Sequence, residues 1–187
     1  IMGNSEIGHM NIGAGRVPES PMSLVENALN SDSLKDNVAL KDLIEKTKKS
    51  CGVVHVSGLL SGGEQSGGNV HSSMDHIIAL CKECLKNDLQ VRLHVITDGR
   101  DNGKDTKSRS SLEAIDILEK HLGNNENFKI ASISGRGFAM DRDQDYSQVE
   151  PAYHAMLNDE KAERLIGQGD SFKLAKQVVE DEIKSKD

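Results

Sequence analysis

Apolar residues recur at two alternating periods along this chain, and that alternation limits the folds it can adopt. Runs with the period of a β-strand are separated by apolar stripes with the spacing of an α-helix. Strands that alternate with helices pair in parallel, because a crossover helix carries the chain back to the end of the sheet where the previous strand began. The sequence therefore predicts an α/β fold in which a parallel sheet carries helices on both faces.

The segments behind this prediction are short and well separated. Gly58 is expected to end the first strand, and Asp36 or Asn37 and Ser73 are placed to cap two of the helices. The strands are predicted at 53–56, 90–97 and 128–133, and the helices around 40–47, 74–85, 112–122, 149–156 and 171–186.

Composition argues against several classes of partner. The 187 residues carry 23 Lys and Arg against 30 Asp and Glu, a net charge of −7, which is atypical of proteins that bind nucleic acid or anionic membranes. No apolar run approaches the roughly 18 residues of a membrane span. Three cysteines, an odd number, favour a reducing, cytoplasmic location over a disulfide framework. We expect a monomer, and interpret the chain as a piece of a longer protein.

The first sixteen residues, IMGNSEIGHMNIGAGR, are rich in Gly, Asn and Ser and are predicted to form a loop. Residues 16–21 contain two prolines and are predicted to be a non-helical joint. Within the loop, Ser5 lies between small residues and near a carboxylate and an imidazole. A hydroxyl in a tight glycine-flanked turn is exposed, as a nucleophile must be. The motif is not G-x-S-x-G, since residue 7 is Ile, so Ser5 alone is a weak indication.

Charged residues gather where the three predicted strands end. Parallel sheets bind ligands beyond the carboxyl ends of their strands, and arginine suits phosphate or carboxylate because its planar fork donates two hydrogen bonds at once. The pattern predicts an anion site, and the alternative is that Asp–Arg pairs such as those of DGRD and MDRD only tighten two turns. The residues at this edge are His71, Arg100, Asp101, Arg136, Asp141 and Arg142.

Cys81 and Cys84 have the spacing of half a zinc or redox site. Cys81 falls on the apolar stripe of its helix, however, and the remaining cysteine, Cys51, has no companion. We therefore predict buried structural thiols that bind no metal.

Five of these segments, taken in order, closely resemble the cofactor-independent phosphoglycerate mutases, which belong with the alkaline-phosphatase-like metalloenzymes. GNSEIGHMNIGAGR is similar to that family's serine loop, and VHVSGLLS with GGNVHSSMDH is similar to its histidine loop. HVITDGRD, ISGR and AMDRD follow in the family's order. The departures are Gly62 in place of an Asp, Ser73 in place of a second His, and Asn102 to Lys104 where the family commonly has Thr-Pro-Pro.

The resemblance implies a two-domain enzyme that interconverts 3-phosphoglycerate and 2-phosphoglycerate through a phosphoserine. Residues 1–20 would then be the serine loop and hinge of a phosphatase domain absent from this chain, and residues 21–187 the inserted phosphotransferase domain. Ser5 would be the nucleophile and a ligand of one of two divalent ions, manganese or magnesium, whose other ligands lie outside the chain. Asp101 would move a proton. The implied substrate-binding residues are His71, Arg100, Asp101, Arg136 and Arg142.

Two other functions stay open from the residues alone. A stand-alone module could capture a phosphorylated metabolite with the same arginines, and a related metal-dependent phosphatase could use Ser5 for hydrolysis. Ser5 and Asp101 favour an enzyme over the binding module, which needs only cationic groups.

Overall fold

The computed structural model describes residues 5–61, 71–100, 109–157 and 170–184. In these parts of the chain, three strands form a parallel sheet in the order β1-β2-β3, and helices flank it, so the predicted α/β architecture is confirmed. The strands are β1 (Val53–Leu60), β2 (Gln90–Thr97) and β3 (Phe128–Gly135). The helices are α1 (Ser5–Ala14), α2 (Pro21–Asn30), α3 (Val38–Lys49), α4 (Met74–Lys86), α5 (Arg109–Leu122), α6 (Arg136–Ala139), α7 (Tyr146–Leu157) and α8 (Ser171–Lys184).

The main core lies between one face of the sheet and helices α4, α5 and α8. Val91, Leu93 and Ile130 on this face are each 0% exposed, as the period-2 pattern of their strands predicts. They pack in one cluster with Ile115 and Leu118 of α5 and with residues of α4 and α8. Burying an aliphatic side chain contributes about 1.5–3 kcal/mol, so this cluster is what holds the helices on the sheet.

Gly58 does not end β1, which continues to Leu60. A Cβ atom at this position would lie 2.5 Å from Cδ1 of Ile77 on α4. The glycine is therefore a point of close approach between helix and strand, and the sequence prediction mistook it for a stop signal.

β3 contains one residue more than β2 needs. Leu93 pairs with Ile130, but the next residue of β2, His94, pairs with Ser132, so Ala131 is left without a partner in β2. This is a β-bulge, and it changes which β3 side chains face each side of the sheet from that point on.

The prediction that residues 1–16 form a loop is wrong for the described part, because Ser5–Ala14 is the helix α1. Glu6 lies in its first turn, where a negative charge favours the helix dipole. The helix ends at Gly15, whose φ of +61° is the left-handed conformation typical of a helix C-terminus. None of the residues of α1 is buried, so the helix contributes nothing to the core.

Helix α2 was not predicted, because Pro21 was assigned to the joint. Pro21 instead occupies the first turn of α2, where a proline costs no hydrogen bond. Ser20 caps the helix by accepting a hydrogen bond from the backbone N–H of Ser23 at 3.1 Å. The non-helical joint is thus confirmed only for residues 16–20.

The starts of α3 and α4 are held in different ways. Asn37 is the N-cap of α3, as expected, and its side chain accepts from the backbone N–H of Leu40 at 3.0 Å. Ser73 is the N-cap of α4, but its side chain makes no capping hydrogen bond. The backbone N–H of Met74 instead donates to the carbonyl of Ser61, just after β1, at 3.1 Å.

None of the helices in the described ranges is long and apolar enough to cross a lipid bilayer.

Candidate functional site

The carboxyl ends of the three strands lie side by side, and a polar residue directly follows each of them. Ser61 follows β1, Asp98 follows β2 and Arg136 follows β3. The register pairs Leu60 with Thr97 and Thr97 with Gly135, so the three polar residues reach the same level. We call Ser61, Asp98 and Arg136 the strand-end cluster. It lies at the edge where open parallel sheets bind ligands.

Asp98 is the centre of the strand-end cluster. Its side chain is 0% exposed, and it accepts hydrogen bonds from both neighbouring strand ends. Oδ2 accepts from the hydroxyl of Ser61, and Oδ1 accepts from Nη1 of Arg136 at 3.1 Å. The backbone N–H of Arg100 also donates to Oδ1, at 2.9 Å. A carboxylate is stable out of water only when it is paired and hydrogen-bonded, and these contacts supply both conditions.

Arg136 enters the cluster from the first residue of α6. Its side chain is only 13% exposed. Because opposite charges attract more strongly away from water, the ion pair with Asp98 fixes the direction of the guanidinium. The alternative interpretation expected Asp–Arg pairs within single turns. The structure has an Asp–Arg pair, but it joins the ends of two strands. Whether Arg136 also contacts an anion stays a prediction.

The other predicted site residues that the structure describes follow β2 and β3 or precede α4. His71, in the segment before α4, is exposed, and so are Arg100 and Arg142. Asp141 accepts backbone hydrogen bonds from the N–H groups of residues 143 and 145, at 3.1 and 3.0 Å. Asp141 therefore shapes its own turn. Asp101 lies outside the described residues.

Ser5 is the first residue of α1 and is exposed. Its carbonyl oxygen accepts a hydrogen bond from Nδ1 of His9 at 2.6 Å, so the imidazole contacts the backbone and not the Ser5 hydroxyl. No hydrogen bond among the described residues joins Ser5 to the strand-end cluster. Its role as a nucleophile stays a prediction.

Sequence reasoning did not single out Asp98 and Ser61. DGRD was read for Arg100 and Asp101, while Asp98 was treated as part of a turn. The available signal was position: Asp98 comes directly after a strand of apolar residues, and an Asp that is buried with such a strand needs a paired partner. Its partners could not be inferred, because the pairing of Asp98 with Arg136 depends on strand register.

A second set of polar side chains spans the sheet on the face opposite the main core. Nδ1 of His55 on β1 lies 2.9 Å from Nε2 of His94 on β2. Nδ1 of His94 lies 2.8 Å from Oγ of Ser132 on β3. His94 and Ser132 are buried, at 7% and 3% exposed, whereas His55 is exposed. Burial, and then the neighbouring His55, lower the pKa of His94, which favours its neutral form. We call these three residues the histidine chain.

The predicted burial of Cys81 and Cys84 is confirmed. Cys81 and Cys84 are free and buried, and Cys51 is free and exposed. Burial, with a smaller contribution from Cys84, raises the pKa of the Cys81 thiol to about 12. Burial also raises the pKa of Cys84. Thiols in this state are poor nucleophiles and poor metal ligands.

The residues that the structure describes do not make a metal centre by themselves. In the ranges that the structure describes, no group of three or more His, Cys, Asp or Glu side chains could hold a metal ion. Ser5 offers one hydroxyl oxygen, whereas a divalent ion takes at least four ligands. Ser5 therefore fits a metal site only as a minor ligand of a set supplied from elsewhere.

A surface cleft of about 340 Å³ lies near the other end of the sheet, where α4 and α5 finish. Lys82, Lys86, Lys120 and His121 line it. Lys86, Lys120 and His121 lie in the last turns of α4 and α5, where a basic side chain balances the negative end of the helix dipole. None of the predicted site residues in the described ranges lines this cleft.

Comparison with known proteins places these features in a family. Residues 25–186 match the family described as BPG-independent PGAM N-terminus. Two proteins named 2,3-bisphosphoglycerate-independent phosphoglycerate mutase are each 43% identical: one from Helicobacter pylori over 156 residues, covering 83% of this chain and 29% of that protein, and one from Metamycoplasma hominis over 161 residues, covering 86% and 30%.

A solved structure is also similar to this chain. The Leishmania mexicana phosphoglycerate mutase at low cobalt concentration superimposes with a TM-score of 0.65 at 36% sequence identity, covering 82% of this chain and 28% of that one. The chain thus spans less than a third of the length of these curated relatives and of this structure.

Proposed function

The chain belongs to the family of BPG-independent PGAM N-termini, and from that membership we propose that it is the phosphoglycerate-binding part of a mutase that interconverts 3-phosphoglycerate and 2-phosphoglycerate. The observation that carries the proposal is the strand-end cluster. In a chain of this family, a buried Asp98 holds Arg136 at the edge of the sheet where ligands bind. A guanidinium fixed in this way is prepared to bind a carboxylate or phosphoryl group without losing conformational entropy.

The remaining arginines and His71 complete the substrate site in this proposal. Arg100 is tied through its backbone to Asp98, and in this proposal its exposed side chain joins Arg136 at the substrate edge. Arg142 and His71 approach from the segments that follow β3 and precede α4. A phosphoglycerate carries two anionic ends, so several cations distributed around one edge suit it better than a single pair does.

Ser5 would carry the phosphoryl group between the two hydroxyls. Its Oγ, which has first lost its proton to solvent, attacks the phosphorus of 3-phosphoglycerate, the bond from phosphorus to the C3 oxygen breaks, and the released glycerate oxygen takes up a proton. The glycerate then turns within the site, its 2-hydroxyl attacks phosphoserine, and the Oγ–phosphorus bond breaks. Asp101 would give and later accept the hydroxyl proton. The arginines hold the glycerate and balance the charge of the phosphoryl oxygens throughout.

A metal site in this enzyme would need ligands from outside this chain. Two divalent ions, manganese or magnesium, would neutralise phosphoryl charge, with Ser5 supplying one oxygen ligand. The phosphatase domain that supplies the other ligands would also pack against residues 1–20, whereas residues 21–187 form the phosphotransferase domain. The exposure of α1 and the start of the family match at residue 25 support this division. We propose a monomer in the cytoplasm, in keeping with three free thiols.

The test uses the natural polypeptide that carries this sequence. It is assayed for conversion of 3-phosphoglycerate to 2-phosphoglycerate with manganese and without added 2,3-bisphosphoglycerate, and phosphorylation of Ser5 is followed by mass spectrometry. Ser5→Ala should abolish turnover, while Ser50→Ala, which alters an exposed serine at the end of α3, should keep it. Absence of turnover in the unaltered protein, or full activity of Ser5→Ala, would contradict the proposal.

A further inference from the structure

The histidine chain crosses all three strands, and it runs diagonally from β1 to β2, because His55 pairs in register with Arg92 rather than with His94. The centroids of the His55 and His94 rings lie 5.2 Å apart with planes inclined by 21°. The facing nitrogens of the two rings lie 2.9 Å apart. The distance between the ring centroids is longer than this by about two ring radii, so both centroids and both nitrogens lie nearly on one line. The rings therefore lie end to end, joined by a nearly straight N–H···N hydrogen bond, and the His94 ring has no freedom to rotate while both of its nitrogens are engaged.

The bond from His94 to Ser132 lies at the β-bulge. Leu93 still pairs with Ile130, and His94 is the first residue of β2 whose partner is shifted by the extra Ala131. Ser132 is a polar residue buried to 3% exposure in the middle of a strand, a position where an apolar residue is the ordinary choice. The His94–Ser132 hydrogen bond, at 2.8 Å, gives this buried hydroxyl its partner and ties the shifted register to the adjacent strand.

The bulge decides where Arg136 lies. With Ala131 left over, Gly135 pairs with Thr97, and Arg136 comes level with Asp98. If Ala131 paired with His94 instead, Arg136 would move one residue past Asp98, by about 3.3 Å. Its side chain would also start from the opposite face of the sheet. The 3.1 Å contact between Nη1 of Arg136 and Oδ1 of Asp98 could not form in that register.

We propose that His94 and Ser132 are positioning residues for Arg136, and that His55 assists by holding the ring of His94. Their side chains keep β3 in the bulged register, and that register delivers the Arg136 guanidinium to Asp98 and to the substrate edge. The inference rests on the proposed function for the identity of the substrate, but the positioning of Arg136 can be measured without it.

The two nitrogens of His94 can be tested separately. His94→Asn keeps a polar group near the position of Nδ1, which serves Ser132, and His94→Gln keeps one near the position of Nε2, which serves His55. Ser132→Ala removes the bond at the bulge, and Ser132→Thr restores a hydroxyl in a strand-favouring residue. Ser57→Ala is the matched control, since Ser57 is exposed and pairs in register with His94.

The first measurement is hydrogen exchange in the natural polypeptide that carries this sequence, over peptides spanning residues 131–140. Ser132→Ala and His94→Gln should speed exchange there by about tenfold or more. His94→Asn, Ser132→Thr and Ser57→Ala should stay near the unaltered protein. Where Ser132→Ala does not fold, the contrast between His94→Gln and His94→Asn decides. Equal effects of these two variants, or no effect of either, would overturn the proposal.

The second measurement is steady-state kinetics with 3-phosphoglycerate. A misplaced Arg136 should raise KM by about tenfold in His94→Gln, whereas mere loss of folded protein lowers the apparent kcat and leaves KM unchanged. Unchanged KM in His94→Gln would refute the positioning role. A complete lack of mutase activity in the unaltered protein would refute the proposed function, and the exchange experiment would still decide the positioning of Arg136.

Discussion

Replacing Asp98 by Asn removes a buried negative charge and leaves the shape of the side chain almost unchanged. The carboxylate is 0% exposed and its partner Arg136 is 13% exposed, so the guanidinium that remains is largely cut off from water. Removing one partner of a buried ion pair costs about 3–5 kcal/mol. Asn keeps an oxygen that can still accept from the backbone N–H of Arg100, so we expect the lower end of this range, about 3 kcal/mol.

That loss is large for a domain of this size, because native domains are stable by only about 5–15 kcal/mol. Urea unfolding measures it directly. With a slope of about 1–3 kcal/mol per molar urea, Asp98→Asn should lower the unfolding midpoint by about 1 M or more. Arg136→Met should destabilise by a similar amount. The double variant should lose less than the sum of the two, because both single changes break the same pair.

Asp42→Asn provides the matched control. Asp42 also pairs with a cation, Lys46, at 2.6 Å, but its side chain is 57% exposed, so the same change should cost at most about 1 kcal/mol. If Asp98→Asn and Asp42→Asn unfold at the same urea concentration, Asp98 is not the buried centre of the strand-end cluster and the reasoning fails.

Three further results are expected. At neutral pH a thiol reagent should label Cys51 alone in the folded protein, and should label Cys81 and Cys84 only in denaturant. Burial raises the pKa of Cys84, and it raises the pKa of Cys81 to about 12. Rapid labelling of all three thiols in the folded protein would contradict this expectation. The pKa of His94 is lowered from 6.5 in the folded protein, so the unfolded chain binds more protons below about pH 6.5. The free energy of unfolding should therefore fall as the pH falls through that value, and it should fall less steeply in His94→Asn. Equal pH dependence of the two proteins would contradict this expectation. Mixed with manganese, this chain alone should bind 3-phosphoglycerate weakly and in a salt-sensitive manner without forming 2-phosphoglycerate, and turnover would show that it needs no further metal ligands.

The strands were predictable because their signal is local. Alternating apolar residues identified β2 from Gln90 to Thr97 without error. The residues that follow β2 and β3 were expected to share one edge of the sheet, and Asp98 and Arg136 do meet there. The helix over Ser5–Ala14 was not predicted because its glycines were taken as a sign of a loop. The segment has no proline before Pro18, so nothing in it prevents a helix. Helix α2 was missed because a proline at a helix start was interpreted as a break.

The contacts of the candidate site were beyond the sequence for a different reason. Asp98 meets Arg136 only because a single unpaired residue, Ala131, shifts β3 against β2. Nothing in the pattern of FKIASISG marks that residue, since a bulge depends on what the neighbouring strand offers. The partner of a buried charge is thus a property of register, and register is decided between strands rather than along them.

The hydrogen bond between the Met74 amide and the Ser61 carbonyl has a consequence for how this protein can vary. This bond joins the residue before position 62 to the residue after position 73, so the ends of the intervening segment are held together whatever its number of residues. Doubling the number of residues in a loop whose ends are held together costs only about 0.6 kcal/mol of closure entropy. The stretch that carries His71 can therefore be lengthened, shortened or exchanged in evolution, or grafted by an engineer, while the scaffold that holds Asp98 stays as it is.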